Sequence, residues 1–358
     1  MYPLISQIFF IPISPIPVYF IPAYFIEKDI FNIKNAPTLQ KRNSNTKALT
    51  IGVSFPDQIV PRWKRDRDIM EEYAKTLGVT LKIENAKSDA AKQAAQIDTL
   101  ISQGINALIL LPVDLSAAAE LVQKAHKAGI KVVDYDRLIQ NSDVDIYISF
   151  NGLKVGELQA QYLIKAVPRG NYIIMSGDPR DMNSKLFKDG AMEYIMPLAS
   201  SGDIKIVADK EVNNWDPKIA YKIVEEALIA NNNNIDAVLA PNDAIAGASI
   251  EALKAKGLAG KVPVTGQDAD LDAVRRIIEG TQLMTVFKDY REEAKISIDI
   301  AIKLARGEPI YVYDYIANGK FNVPSVLLAP KAVDKNNIRE VLIDSGFYTI
   351  SEVYNILK

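Results

Sequence analysis

The chain has 358 residues, one histidine and no cysteine, with a net charge of −2, 48% hydrophobic and 24% charged residues. That is the composition of a globular chain long enough for two domains of roughly 150–200 residues each. The near-neutral charge argues against binding nucleic acid by phosphate neutralisation. Without Cys there are no disulfides, thiolate metal sites or Cys nucleophiles, and the single His126 excludes multi-His metal sites.

Residues 1–26, MYPLISQIFFIPISPIPVYFIPAYFI, carry no charge. A run of that length can span a bilayer. It lacks the basic start and small-residue cleavage site of a signal peptide. Pro3, Pro12, Pro15, Pro17 and Pro22 each cost roughly 3 kcal/mol inside a helix in water. The expectation is a hydrophobic anchor or leader that contacts the membrane, then a polar linker over 27–48. From Leu49 the texture changes. LTIGVSF (49–55) reads as a strand, Trp63–Leu77 as a helix, TLKIEN (80–85) as a strand and Asp89–Gln103 as a helix. ALILL (107–111), a helix over 114–128, KVVDYD (131–136) and DIYISF (145–150) follow. The second half repeats the plan, with NYIIMSG, IKIVADKEV, DAVLAPND, VPVTGQD and LMTVFKD as strands. Wholly apolar runs suit strands covered on both faces, and strand–helix alternation implies parallel βαβ units. The fold class is α/β, with open, doubly wound parallel sheets.

Ligands bind such sheets beyond the carboxyl ends of the strands. Those ends carry Arg62 and Trp63; Asp136 and Arg137; Asn183; Trp215; Asn242; Asp268; and Lys288. Both tryptophans of the chain are in this set. An indole face suits the C–H patches of a pyranose, while Arg, Lys, Asn and Asp supply paired donors and acceptors for adjacent hydroxyls. Each Asp or Asn alone reads as a helix N-cap. That reading does not account for the whole set together with both indoles.

Over roughly Leu49 to Tyr354 the chain resembles the D-xylose-binding proteins of bacterial sugar uptake, within the ribose/galactose class of substrate-binding proteins. The resemblance rests on RWKRDRD, YDRLI, ISFNGLKVGELQA, GNYIIMSGDP, ANNNNIDAV, NDAIAG, GQDADLD and GTQLMTVFK. It implies a type I periplasmic-binding-protein fold: two lobes joined by a three-segment hinge, with sugar clamped between them. The first lobe would hold 49–150 and 288–319, the second 151–287 and 320–358. Carried over position by position, the pocket is Arg62, Trp63, Asp136, Arg137, Asn183, Trp215, Asn242, Asp268 and Lys288. The implied protein is an extracytoplasmic, non-enzymatic D-xylose receptor with no cofactor. Its partner would be a membrane ABC permease or, if residues 1–26 tether it, a sensor histidine kinase.

Other signals weigh less. Asp268, Asp270, Asp272 and Glu279 echo an EF-hand loop, but Ala273 stands where its glycine belongs and the residues after it read as helix. Paired acids could serve a glycosidase, although the same polar site serves binding. His126 lies in the charged last turn of a helix, where the dipole favours a solvated His. A repressor headpiece would need a helix-turn-helix, which residues 1–48 lack.

Overall fold

The computed structural model describes residues 49–57 and 61–354. The anchor and linker expected over 1–26 and 27–48 lie outside those residues. Among the described residues no helix is long and apolar enough to cross a membrane.

The first lobe opens with β1 (Thr50–Phe55), α1 (Pro61–Thr76), β2 (Thr80–Asn85), α2 (Ala90–Ser102), β3 (Ala107–Leu110), α3 (Ala118–Lys127), β4 (Lys131–Tyr135) and β5 (Ile146–Phe150). The second lobe follows as α4 (Gly152–Ala166), β6 (Gly170–Ser176), α5 (Met182–Ser200), β7 (Ile204–Glu211), α6 (Pro217–Ala230), β8 (Ala237–Leu239), α7 (Asp243–Lys254), α8 (Leu271–Glu279) and β9 (Thr285–Phe287). The chain returns to the first lobe as α9 (Tyr290–Arg306), β10 (Asp314–Ala317) and β11 (Asn322–Leu328), then ends as β12 (Lys331–Val333) and α10 (Ile350–Tyr354).

The first sheet has seven strands in the order β10-β11-β5-β4-β3-β1-β2, parallel except for β10 against β11. Its apolar runs are covered on both faces. Ile109 of β3 packs with α1 and α9 through Met70 and Ile298, while Leu108 and Leu110 pack with α2 and α3 through Leu100 and Val122. In the second lobe β7, β6 and β8 pair in parallel, and β9 pairs antiparallel with β12. The segment VPVTGQD, read from sequence as a strand, forms only isolated bridges from Val264 to Val238 and from Gln267 to Val286. Proline has no N–H to give a ladder, so Pro263 contributes only its carbonyl, which accepts from Val238 N. The Thr265 hydroxyl bonds both the N–H and the carbonyl of Ala240, replacing ladder bonds with side-chain ones. The helix expected over 114–128 begins later, at Ala118, because the Asp114 carboxylate accepts from Ser116 N and Ala117 N and holds a turn.

The lobes are joined at Phe150–Gly152 and at Phe287–Tyr290. The third junction differs from the sequence reading, which puts it at 319–321. β11 lies inside the first sheet, hydrogen-bonded to β5, while β12 joins β9. The chain therefore leaves the first lobe after Leu328. Pro324 disguises β11 as something other than an interior strand, but pairing with β5 begins only at Ser325.

Candidate functional site

All nine residues singled out from sequence fall just past strand ends or on the helix turns that follow. Arg62 and Trp63 lie in the first turn of α1, a helix that Pro61 opens with a φ already suited to it. Asp136 follows β4, Asn183 sits in the first turn of α5, Trp215 follows β7 and Lys288 follows β9.

Arg62 is the hub. Its Nη1 donates to Asp136 Oδ1 at 3.1 Å and its Nη2 to Glu293 Oε2 at 2.5 Å, and its Nε lies 3.4 Å from Asp66 Oδ2. Its guanidinium also stands 4.7 Å from the centre of the Trp63 ring, and that of Arg137 stands 5.6 Å from it. Trp63 is 4% exposed, and its indole N–H has no partner among the described residues. From the second lobe, Asn183 Nδ2 donates to the Asp136 carbonyl at 3.1 Å, so the lobes meet through two of the residues singled out from sequence. The same carbonyl accepts from the Tyr147 and Ser149 hydroxyls. Lys288, almost buried, pairs with Asp268 at 3.3 Å and lies over the Phe187 ring.

The acids here differ in charge. Burial works against ionisation of Asp136, but Arg62, Lys288 and Arg137 outweigh it and hold the carboxyl below its usual range. Burial prevails at Asp66, pushing it up to about 7 against the pull of Arg62. Burial also raises Glu293 well above the usual carboxylate range, again opposed by Arg62. Within the cluster the charged form is thus favoured at Asp136 and disfavoured by burial at Asp66 and Glu293.

Three of the nine residues also adopt left-handed backbone. Asp136, Trp215 and Asp268 are non-glycine residues with φ of 62°, 54° and 100°. Such conformations are rare for bulky side chains and cost on the order of 1–3 kcal/mol each, which the surrounding structure must offset.

Two cavities open between the lobes. One, of about 370 Å³, is lined by Arg62, Asp268 and Lys288 with Asp243, Asp270 and Tyr290. The other, of about 570 Å³, is lined by Arg137 and Trp215 with Ser116, Gln140, Asp178 and Arg180. Both volumes fall in the range of small-molecule sites. Asn242 also shapes the backbone, since its Oδ1 accepts from Ile245 N and caps α7, leaving the amide hydrogens as its donors. Sequence reading missed Asp66, Glu293 and Asp178. Asp66 had a local signal, an Arg–Asp pair four residues apart on one helix face. Glu293 had none, since its partner Arg62 is distant in sequence.

The EF-hand echo resolves into other roles, with Asp268 on Lys288 and α8 running from Leu271 through Ala273. His126 lies in the last turn of α3, and its Nε2 is 2.9 Å from Asp145 Oδ2.

A family model described as a periplasmic binding protein domain matches residues 51–309. The chain belongs to the periplasmic binding protein family. It is 43% identical over 330 residues to the D-xylose-binding periplasmic protein of Haemophilus influenzae, covering 92% of this chain and 99% of that one. Identity to the D-xylose-binding periplasmic protein of Escherichia coli is 44%, covering 87% and 94%. Among solved structures, a carbohydrate transporter solute-binding protein from Chloroflexus aurantiacus in complex with D-glucose superposes with a TM-score of 0.79 at 33% identity, covering 86% of this chain and 98% of that one. This family member therefore has the type I periplasmic-binding-protein fold, and its relatives are binding proteins rather than enzymes.

Proposed function

We propose that the chain is an extracytoplasmic D-xylose receptor that closes on the sugar and presents it to a membrane ABC permease. The observation that supports this reading is that Arg62, Asp268 and Lys288 line one cavity between the lobes and Arg137 and Trp215 the other, with Asp136 bonded to Arg62 on one side and to Asn183 of the second lobe on the other. The indoles suit the apolar faces of a pyranose. The charged and amide groups suit its hydroxyls, with Arg, Lys and Asn as donors and Asp as acceptors. The choice of pentose rests on the two D-xylose-binding relatives. Delivery to a permease draws on solved relatives named as ABC transporter solute-binding proteins, one with bound β-D-glucose.

A site that pairs buried polar groups with each hydroxyl rejects a misplaced hydroxyl at a cost of about 1–3 kcal/mol. Calorimetry should therefore show D-xylose binding with ribose, arabinose and glucose much weaker. Equal affinity for glucose would remove xylose as the preferred ligand. The uncharged stretch over residues 1–26 supports a second reading, a tethered receptor that reports occupancy to a sensor histidine kinase. Cell fractionation separates the two: a soluble, processed form supports transport, and a membrane-bound form retaining residues 1–26 supports sensing.

A further inference from the structure

We propose that Asp178 is a positioning residue that fixes the Trp215 indole as a wall of the cleft, an inference that rests on the sugar-site reading above. Asn214 and Trp215 both adopt left-handed backbone, with φ of 55° and 54°. Two such non-glycine residues in succession need an external hold. Asp178 supplies it. Its Oδ2 accepts from Asn214 N at 2.7 Å and from Arg180 Nη2 at 2.7 Å. Its Oδ1 accepts from Arg180 N at 2.8 Å and from Arg180 Nε at 2.9 Å. Arg180 Nη2 then reaches Asn214 Oδ1 at 2.6 Å, closing the bracket over the turn.

A carboxylate offers about four lone-pair sites, and all four are taken here. Asp178 therefore has no acceptor left for a sugar hydroxyl, although it lines the same cavity as Trp215 and Arg137. Its part is to place the ring, not to touch the ligand. The Arg180 bonds lower the Asp178 carboxyl to about 2, so the bracket stays charged at any physiological pH.

Gly177, the residue before Asp178, shows how closely the ring is seated. A Cβ there would come within 2.1 Å of the indole. The run Gly177-Asp178-Pro179-Arg180 thus does two things: glycine leaves room for the ring, and Asp178 with Arg180 pins the turn that carries it. Arg180 is largely solvent-exposed. Its share is screened by water, and Asp178 is the decisive member.

The test uses the full chain grown with fluorotryptophan. Its two indoles give two fluorine resonances, assigned with Trp215→Phe. Asp178→Ala should shift the Trp215 resonance in sugar-free protein and leave Trp63 in place. Xylose affinity should fall on the order of 10- to 100-fold, as for loss of hydrogen bonds to a charged group. Gly177→Ala, which leaves the bracket whole but displaces the ring, should move the same resonance and weaken binding. Asp178→Asn serves in place of Asp178→Ala if the latter does not fold. An unmoved Trp215 resonance in the Asp178 variant overturns the proposal, whether affinity is unchanged or lost through some other route. If the wild-type protein does not bind xylose, the functional reading fails, while the sugar-free fluorine shifts still decide the bracket.

Discussion

Lys288, nearly buried, pairs with the partly exposed Asp268, and both line a cavity. Asp268→Ala deletes an acceptor while Lys288 keeps the charge of Asp136 nearby, and Arg137→Ala deletes a planar donor beside Trp63. Each should lower xylose affinity roughly 30- to 1000-fold, equivalent to about 2–4 kcal/mol, while the melting temperature stays near that of wild type. A lowered melting temperature with unchanged affinity would assign the side chain to bracing instead. Asp66 makes a different prediction. Its carboxyl sits at about 7 when folded and at 3.8 in the ordinary state, so between those values the native protein holds a proton that the unfolded chain has released. Stability from this group is therefore lost as pH rises from about 4 to 7, by up to a few kcal/mol. Asp66→Asn should flatten that slope, so thermal melts across the window diverge between wild type and variant. Parallel curves would show that Asp66 is not the titrating group. Side-chain types at strand ends were legible in sequence because the α/β rule says where to look. The acids that surround Arg62 were less so, since burial and long-range pairing leave little local trace.

Helices α4 and α5 approach so closely that glycine is required on both. A Cβ on Gly156 would fall 1.8 Å from the Phe187 carbonyl, and one on Gly190 would fall 2.0 Å from that of Leu153. The contact sets the position of Asn183 at the start of α5 and of Phe187 beneath Lys288. Gly156→Ala should force the helices apart, costing about 1–3 kcal/mol or more in chemical denaturation, with a smaller loss of sugar affinity. Denaturation curves that coincide with wild type would mean the helices yield without strain. At this scale the strands and helices up to β9 follow the hydrophobic pattern closely, since each is an apolar run or an amphipathic period. Elements held by exceptions were harder to read. The 263–267 segment replaces ladder bonds with a threonine hydroxyl, and β11 hides its place behind Pro324.

Across the whole molecule, the link from Asn183 to Asp136 joins lobes that three short segments connect. That architecture favours hinge closure around a ligand. Solution scattering should show a smaller radius of gyration with saturating xylose, and superimposable profiles would exclude closure. The place of β11 has another consequence, for the order in which the protein is made. Tyr147 of β5 waits for Ser325 of β11 as its neighbour, so the first lobe remains unfinished until β11 has been made. Until then β5, buried along its whole length in the finished fold, is an open sheet edge of the kind that recruits other strands. A ribosome that stalls or stops after α9 releases a chain with that edge bare. Keeping nascent chains apart until β11 is made is therefore a requirement written into the strand order of the first sheet.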